Sequence, residues 1–458
     1  MVKKSTTKEK TTPELVQEMM QELMSTRTIK TLKGSHAMYQ YDDEVGLYVP
    51  QAQENLETAI ECRLNEQATG YVRREVIGKL QARTYVDADD FDNDSDIVHV
   101  NNGYLNMSTL EFETHSRQRL SLYKLPVDYD PDARCPKFSK FLSDILEPDY
   151  QKLIQQLLGF FLCPGYPYRR AFIFVGPTHT GKTTLMNTLI DFLGKDNTQS
   201  LSLQDICDHS FRVAGLYGSV ANIHDELSAV GIKQFEMLKK LTGDSRITAE
   251  HKNKNPFQFW SRSKMVFACN EIPPASRADD AYYGRWVIVP LYRQFFEGAG
   301  AVKDYDKQLT TPDELSGILN LAVEGYRDIT SNNGFAYPNS VRDLRMRYLA
   351  YSGDPIAQFV AECIQYDDPN EITPKQTIFE FYELFCSRVG KPAVDEISFY
   401  MRLTPYLDDS RIVECRPTEV NRLMSYRGLK VVLPKIVRPV ERFKFTGVSL
   451  NPRDFTDD

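Results

Sequence analysis

The chain lacks any apolar run long enough to span a bilayer, and its N-terminus, MVKKSTTKEKTTPE, is charged and has no apolar signal core. A membrane-spanning helix needs about 20 mostly apolar residues, and a secretory signal needs an apolar stretch of about 7–15. We therefore expect a soluble, cytoplasmic protein with no membrane partner.

Closely spaced cysteines are also missing. The eight cysteines lie far apart in the chain and include no CxxC pair. Zinc knuckles and disulfide frameworks both need clustered cysteines. The pattern predicts neither, and it indicates that most of the cysteines are buried thiols in a reducing compartment.

Residues 87–96, DADDFDNDSD, form an acidic cluster that two kinds of metal site would explain: a calcium loop or the metal-binding carboxylates of a primase. The calcium register that starts at Asp92 places Ile97 at the turn glycine and Gly103 at the bidentate glutamate, so it fails. We find no convincing primase site in the roughly 165 residues before the glycine-rich loop described below. A solvated acidic loop is the favoured interpretation.

The composition is that of an ordinary globular protein. Apolar residues make up 41% and charged residues 26% of the 458 residues, which argues against wholesale disorder. At about 150 residues per domain, this length predicts roughly three domains. The net charge of −8 does not exclude nucleic-acid binding, because a DNA-binding protein can confine its basic residues to one region.

The order of apolar patterns predicts four regions. Residues 1–12 are a polar tail, and residues 13–165 mix strands and helices in an α+β or helical domain that opens with a helix at Thr12-Pro13. Residues 166–335 alternate apolar strands with helices, which is typical of a parallel sheet covered on both faces. Residues 350–458 show helical patterns at PIAQFVAECI, KQTIFEFYELFCSRV and EISFYMRLTPYL, followed by strand-like runs at RIVECRP and GLKVVLPKIV. Three helices followed by a hairpin of these two runs suggest a winged-helix-like domain. The fold class is therefore α/β.

The segment GPTHTGKTT follows the apolar run AFIFV and precedes a helical pattern, in the order strand, loop, helix. Glycines let backbone N–H groups approach phosphate, and a helix N-terminus favours anions. Lys182 would neutralise β- and γ-phosphate charge, and the Thr183 hydroxyl would ligate Mg²⁺. The sequence predicts a site for ATP or GTP at Gly176, Pro177, Thr178, His179, Thr180, Gly181, Lys182, Thr183 and Thr184.

Two more apolar strands end in polar side chains. The first ends in Asp225 and Glu226, which would hold Mg²⁺ through water and polarise the attacking water, respectively. The second ends in Asn270, which would contact the γ-phosphate or orient that water. Between them lies a predicted hairpin with His251, Lys252 and Lys254 at a basic tip.

This order of segments resembles the superfamily 3 helicases, in particular the branch of phage and plasmid replication proteins and large DNA viruses. The resemblance rests on GPTHTGKTT, ANIHDE, KKLTGDSRITAEHKNKNPFQF, MVFACNEIPP and GRWVIVPL, over about residues 168–292. Weaker likeness extends upstream through VNNGYLNMSTLEF and LPVDYDPDARCPKFSKFL. The resemblance implies a P-loop AAA+-like motor in the 166–335 region.

The resemblance also implies roles for particular residues. Lys182, Glu226 and Asn270 match catalytic positions, with ATP and Mg²⁺ as cofactors. Arg285 matches the arginine that reaches a neighbouring subunit's nucleotide, and Arg277 is the competing candidate. The tip residues His251, Lys252 and Lys254 match a pore hairpin that grips DNA phosphates.

The function that the resemblance implies is a ring-forming DNA helicase. The ring would be a homo-oligomer, as a hexamer, around a single strand of DNA in its pore, moving 3′ to 5′ in phage, plasmid or other mobile-element replication. Priming would belong to a separate primase. Residues 411–444 carry nine Lys or Arg against three Glu, a surface that would bind either duplex DNA or a protein.

Two other classes of function share the phosphate loop. A P-loop nucleotide kinase would leave the basic hairpin unexplained, whereas a DNA-independent assembly ATPase would share nearly every feature. Stimulation of ATP hydrolysis by DNA distinguishes both from the helicase interpretation.

Overall fold

A computed structural model shows how the chain folds, and it describes residues 11–93, 96–208, 210–227, 236–243, 245–250, 256–273, 279–296, 302, 304–338, 340–407, 410–420 and 422–433. The predicted polar tail lies almost wholly outside these residues. Helices and strands alternate along much of the chain, so the fold belongs to the α/β class as predicted. Among the described residues, no helix is both long and apolar enough to cross a membrane.

The first unit is a small sheet covered by helices. Its elements are α1 (Thr12–Thr26), β1 (Ile29–Leu32), β2 (Met38–Asp42), β3 (Leu47–Val49), α2 (Ala52–Leu64), α3 (Gly70–Thr84) and β4 (Tyr85–Val86). The strand order is β3-β2-β1-β4. Helix α1 begins where Thr11 donates its backbone N–H to Glu14 at 2.9 Å, a favourable helix start, so the predicted helix is confirmed within one residue.

A second group of elements leads to the central sheet. It comprises β5 (Ile97–Val100), β6 (Gly103–Asn106), β7 (Phe112–Glu113), α4 (Pro136–Ile145) and α5 (Pro148–Leu162). The acidic cluster precedes β5, and Asp89, Asp90 and Asp96 in it are exposed. Asp92 is different, because its side chain is only 7% exposed and forms an ion pair with Arg262. The prediction of a solvated loop is therefore wrong at Asp92.

The central sheet contains five strands, all parallel. These strands are β8 (Ala171–Val175), β9 (Thr198–Gln199), β10 (Ala221–His224), β13 (Lys264–Cys269) and β14 (Trp286–Pro290), in the order β14-β8-β13-β10-β9. Alternate residues of β8 face opposite sides: Phe172 and Phe174 enter one hydrophobic core, and Ala171, Ile173 and Val175 enter the other. A strand covered on both faces reads as continuously apolar, which explains AFIFV.

Helices and a hairpin surround this sheet. They are α6 (Lys182–Leu193), α7 (Leu203–Asp208), α8 (Ser210–Val213), α9 (Glu236–Leu241), α10 (Asp280–Tyr283), α11 (Tyr305–Leu309), α12 (Pro312–Ser331) and the antiparallel pair β11 (Arg246–Ala249) and β12 (Phe257–Trp260). The paired β11 and β12 confirm the two strands of the predicted hairpin. Its tip, with His251, Lys252 and Lys254, lies outside the described residues.

Helices α5 and α12 cross in close contact. A Cβ at Gly159 would lie 2.0 Å from the backbone nitrogen of Tyr326, and a Cβ at Gly325 would lie 1.9 Å from the carbonyl oxygen of Gln155. Only glycine fits at both positions. The core on this side of the sheet contains residues on both sides of residue 165, including Leu157 and Leu189. Helix α5 is thus built into the same core as the strands of the central sheet.

The C-terminal part adds helices and short strands to the opposite face. Its elements are α13 (Val341–Tyr351), α14 (Pro355–Cys363), β15 (Ile364–Gln365), β16 (Ile372–Pro374), α15 (Lys375–Val389), α16 (Glu396–Leu403), β17 (Val413–Cys415), β18 (Ser425–Arg427) and β19 (Lys430–Val431). The three predicted helices are present. Within the part of the chain that the structure describes, the two predicted strand runs do not form the expected hairpin, because β17 pairs with β18 and β19 pairs with β15.

Candidate nucleotide-binding site

The loop between β8 and α6 turns back on itself through three residues with positive φ. These are Gly176 (157°), His179 (65°) and Gly181 (87°). A Cβ at Gly176 would lie 1.9 Å from the carbonyl oxygen of Leu291, so the backbone here passes too close to the residue after β14 for any larger side chain. The loop is held close to the sheet by this contact.

Lys182 is the first residue of α6, and its ammonium group curls back over the loop. Nζ donates to the carbonyl oxygens of Gly176 and Pro177, both at 2.6 Å. Burial lowers the pKa of Lys182. Thr183 is exposed and Thr184 is half-buried in the same first turn, where free backbone N–H groups favour an anion.

Residues beyond β14 support the loop from one side. The backbone N–H of Phe295 donates to the carbonyl of His179 at 2.8 Å, and Gln294 donates to the carbonyl of Thr178 at 3.0 Å. Helix α4 supports it from another side, since Ile145 and Phe141 lie against Gly181. Sequence reasoning missed these supporting residues, although the adjacency of β14 and β8 would have pointed to those after β14.

The predicted acidic pair follows β10 at the same edge of the sheet. Asp225 and Glu226 are both exposed, and the chain is fixed directly afterwards, where Leu227 donates its N–H to the carbonyl of Ala268 at 2.9 Å. Asn270 follows β13 and is also exposed. Strand β13 lies between β8 and β10, with Cys269 beside Val175 and Phe267 beside His224. The register therefore brings Lys182, Asp225, Glu226 and Asn270 to one edge of three adjacent strands.

Arg285 lies at the opposite, amino-terminal end of these parallel strands. Its carbonyl accepts the N–H of Ala171, the first residue of β8, at 2.6 Å. The phosphate loop begins after Val175, so five residues of strand separate the two, or about 16 Å at a rise of about 3.3 Å per residue. The structure does not bring Arg285 to the loop of its own chain.

The Arg285 guanidinium is held by its own chain. Nε donates to the hydroxyl of Thr242 at 2.8 Å, and the other nitrogens donate to the carbonyls of Ala281 and Lys239. Burial, and then the nearby charge of Arg169, lower the pKa of Arg285. Arg277, the competing candidate, lies outside the described residues.

A cavity of about 340 Å³ opens beside Arg285. Arg169 and Arg170 line it together with Asp280, and Arg170 donates to the carbonyl of Gly284. Sequence reasoning missed these two arginines. Their position in the sequence pointed to this site. Arg169 and Arg170 directly precede β8, and β8 pairs with β14, which begins directly after Arg285.

A Mg²⁺ ion at the carboxyl end of these strands would have few protein ligands. Among the residues that the structure describes, no three or more histidine, cysteine or acidic side chains gather into a metal-binding group. The exposed oxygens of Thr183 and Asp225 are the donors that sequence reasoning assigned to Mg²⁺. Hard oxygen donors in small number suit Mg²⁺, which keeps several waters and binds through one or two carboxylates and the substrate phosphates.

Two family models match the chain. Residues 4–147 match a family described as D5 N terminal like, and residues 174–285 match a family of unknown function, DUF5906. The second match spans the phosphate loop, the acidic pair, Asn270 and Arg285. No curated protein matches the chain.

Solved structures of one protein region resemble the chain in shape. The A form apo structure of the NrS-1 C terminal region (CTR) is 12% identical, covers 89% of this chain and 98% of its own, and has a TM-score of 0.47. Another apo structure, of NrS-1 residues 305–718, is 13% identical, covers 89% and 98%, and has a TM-score of 0.45.

Proposed function

We propose that this chain, in which residues 4–147 form a D5 N-terminal-like region, is the ATP-driven motor of a phage-type replication primase-helicase. The motor is of the AAA+-like, superfamily 3 kind and unwinds DNA. The observation that supports this proposal most is the gathering of Lys182, Asp225, Glu226 and Asn270 at the carboxyl edge of three adjacent parallel strands. A nucleotide-binding protein that does not hydrolyse ATP needs the lysine and loop but has no use for the exposed glutamate beside them.

ATP binding rests on Lys182 and the first turn of α6. The Lys182 ammonium moves from the carbonyls of Gly176 and Pro177 to the β- and γ-phosphates, and the loop N–H groups receive phosphate oxygens. When bound, Mg²⁺ supplies positive charge that neutralises the developing negative charge on the phosphates. Thr183 and Asp225 would hold this ion, because their oxygen donors are of the kind that Mg²⁺ prefers.

Hydrolysis then requires a group that activates water. Glu226 accepts a proton from the attacking water, and the Asn270 amide orients that water or contacts the γ-phosphate. Both residues are exposed at the sheet edge, so nucleotide and water can reach them.

The position of Arg285 supports assembly into a ring. Arg285 cannot reach the phosphates of its own chain, because a full strand length separates it from the loop. In a head-to-tail ring, the same arginine faces the nucleotide of the next copy, and a closed arrangement of this kind is a cyclic homo-oligomer, here proposed as a hexamer. Arg277 remains the alternative.

DNA is the substrate along which the motor is proposed to move. The hairpin tip with His251, Lys252 and Lys254 grips the phosphates of one strand in the pore, and the 3′ to 5′ direction is part of the proposal. A winged-helix-like C-terminal domain that binds duplex DNA, a separate primase partner and a location in the host cytoplasm complete it. Contacts with the backbone predict little sequence preference and strong salt dependence.

The test is ATP hydrolysis with and without single-stranded DNA, for the natural protein and for Lys182→Ala. We expect DNA to stimulate hydrolysis, and we expect Lys182→Ala to abolish both hydrolysis and unwinding while the protein stays folded. Lys195→Ala is the matched control, because Lys195 follows the same helix but its side chain is 82% exposed. Near-normal hydrolysis by Lys182→Ala contradicts the proposal. Hydrolysis that DNA does not affect favours an assembly ATPase or a nucleotide kinase.

A further inference from the structure

The hairpin of β11 and β12 has two unlike faces. Ile247, Ala249 and Phe259 point to the core and are at most 2% exposed. The opposite face carries Arg246, Thr248, Gln258 and Trp260, all exposed. Trp260 is 43% exposed, whereas the only other tryptophan in the sequence, Trp286, is 1% exposed. A large aromatic ring is therefore presented to solvent on an otherwise polar face.

Trp260 and Arg246 form a pair across this hairpin. They are directly opposite in the antiparallel register, and the Arg246 guanidinium lies 5.8 Å from the centre of the Trp260 ring. A guanidinium above an indole is held by a cation–π interaction, which keeps both groups in place for a ligand.

The base of the hairpin is anchored to its own chain. Arg262, two residues after Trp260, forms the ion pair with Asp92 described above. On the core side, the rings of Phe257 and Phe259 each lie 5.5 Å from that of Tyr217. These contacts fix the orientation of the exposed face.

Arg246 also has an acidic neighbour that a ligand can replace. Its guanidinium lies 3.3 Å from a carboxylate oxygen of Asp89, and these two side chains are 55% and 53% exposed. Exposed ion pairs of this kind contribute little to stability and are weakened by salt. A phosphate group can therefore take the place of the Asp89 carboxylate on Arg246.

We propose that Trp260 and Arg246 form a binding site for single-stranded nucleic acid, in which a base stacks on the indole and its phosphate binds the guanidinium. Asp89 competes with the phosphate for Arg246. Bases stack on tryptophan without regard to sequence, and arginine binds phosphate through two parallel hydrogen bonds. A protein partner fits less well, because Trp260 is the single apolar side chain among the four on this face and protein interfaces have a larger apolar centre. The choice of nucleic acid rests on the proposed function.

The experiment is a titration of the full-length protein with a fluorescein-labelled oligothymidylate, followed by anisotropy, and with the unlabelled oligonucleotide, followed by tryptophan fluorescence. We expect quenching that disappears in Trp260→Phe, because Trp286 is buried. Trp260→Ala weakens binding about tenfold or more. Arg246→Ala also weakens binding and lowers the slope of log affinity against log salt by about one. Tyr71→Ala, which removes another exposed aromatic ring, leaves affinity unchanged.

Asp89→Asn supplies the test of competition. This variant should bind the oligonucleotide more tightly than the natural protein, and the gain should vanish when Arg246→Ala is added, because Asp89 acts through Arg246. Normal affinity in Trp260→Ala, with quenching retained in Trp260→Phe, overturns the site while DNA-stimulated hydrolysis still supports the helicase. A natural protein that binds no oligonucleotide and shows no stimulation overturns both proposals.

Discussion

Asp92 and Arg262 form a largely buried ion pair that links the acidic segment before β5 to the end of hairpin strand β12. The guanidinium lies 3.0 Å from the carboxylate, and the side chains of Arg262 and Asp92 are 18% and 7% exposed. Ser121 and the backbone N–H of Leu122 donate to the same carboxylate, and Arg262 lies over the ring of Tyr123. Burial raises the pKa of Asp92, against the opposing effects of Arg262 and these hydrogen bonds.

Removing one member of this pair should be costly. We expect Arg262→Met to lower the free energy of unfolding by about 3–5 kcal/mol, because it leaves a buried carboxylate without its counter-charge. Adding Asp92→Asn should recover most of this loss, since the amide oxygen still accepts from Ser121 and Leu122. Urea denaturation of the single and double variants measures both effects.

The exposed pair Asp89–Arg246 is the control for this measurement. It joins the same two segments, and its removal should change the unfolding free energy by about 1 kcal/mol or less. Equal losses for Arg246→Ala and Arg262→Met would contradict the assigned role of burial.

The parts of the fold that were predicted correctly depend on local pattern. The strand, loop and helix around Lys182 follow from an apolar run, glycines and a helical repeat that are contiguous in sequence. The short strand Ser425–Arg427 escaped prediction because three residues show no alternation, and its absence led to the wrong pairing for Val413–Cys415.

The contacts that position the site come from distant segments. Leu291 lies against Gly176, and Phe141 lies against Gly181. These backbone and packing contacts require no particular motif, so the sequence pattern does not reveal them. Asp92 belongs to a segment whose composition is typical of a solvated loop, and its burial depends on an arginine far along the chain. Only the fold brings such pairs together.

Glu226→Gln should separate binding from turnover. We expect the variant to bind ATP normally, because the residues proposed to contact the phosphates and the metal are unchanged. It should hydrolyse ATP about 10²–10⁴-fold more slowly, because no group accepts the proton of the attacking water. Fluorescent nucleotide binding and single-turnover hydrolysis measure the two steps.

Asp225→Asn is the matched variant for that experiment. It should raise the Mg²⁺ concentration needed for hydrolysis, which Glu226→Gln should not do. A Glu226→Gln protein that is folded but binds no ATP would show that this glutamate has a different role.

Lys264 predicts a pH dependence of stability. Its Nζ donates to the carbonyls of Cys163 and Gly165 at 2.6 and 2.7 Å, and burial lowers the pKa of Lys264 to about 7. Between about pH 7 and the ordinary lysine pKa of 10.5, the unfolded chain therefore binds more protons than the native protein. The free energy of unfolding should rise with pH across this window.

Urea denaturation at pH 7, 8 and 9 should show this rise in the natural protein. We expect a weaker dependence in Lys264→Met, which removes the titrating group, and an unchanged dependence in Lys195→Met, whose side chain is exposed. The same dependence in all three proteins would show that another group titrates.

The last prediction concerns Arg285 and the ring. An arginine supplied by a neighbour stabilises charge on the γ-phosphate in the transition state and can raise the rate of hydrolysis by 10³–10⁵-fold. Arg285→Ala should therefore bind ATP but hydrolyse it poorly, and Lys182→Ala should fail because it spoils the receiving site. In an equal mixture, about a quarter of the interfaces of a head-to-tail ring would join an intact Lys182 to an intact Arg285. Hydrolysis should partly recover on mixing.

Thermal unfolding of Arg285→Ala must be checked first, because the guanidinium also donates to Thr242, Ala281 and Lys239. If the two variants co-assemble, as shown by pull-down of a tagged copy, and no hydrolysis returns, Arg285 does not act between subunits. Recovery with Arg277→Ala in its place would then assign that role to Arg277.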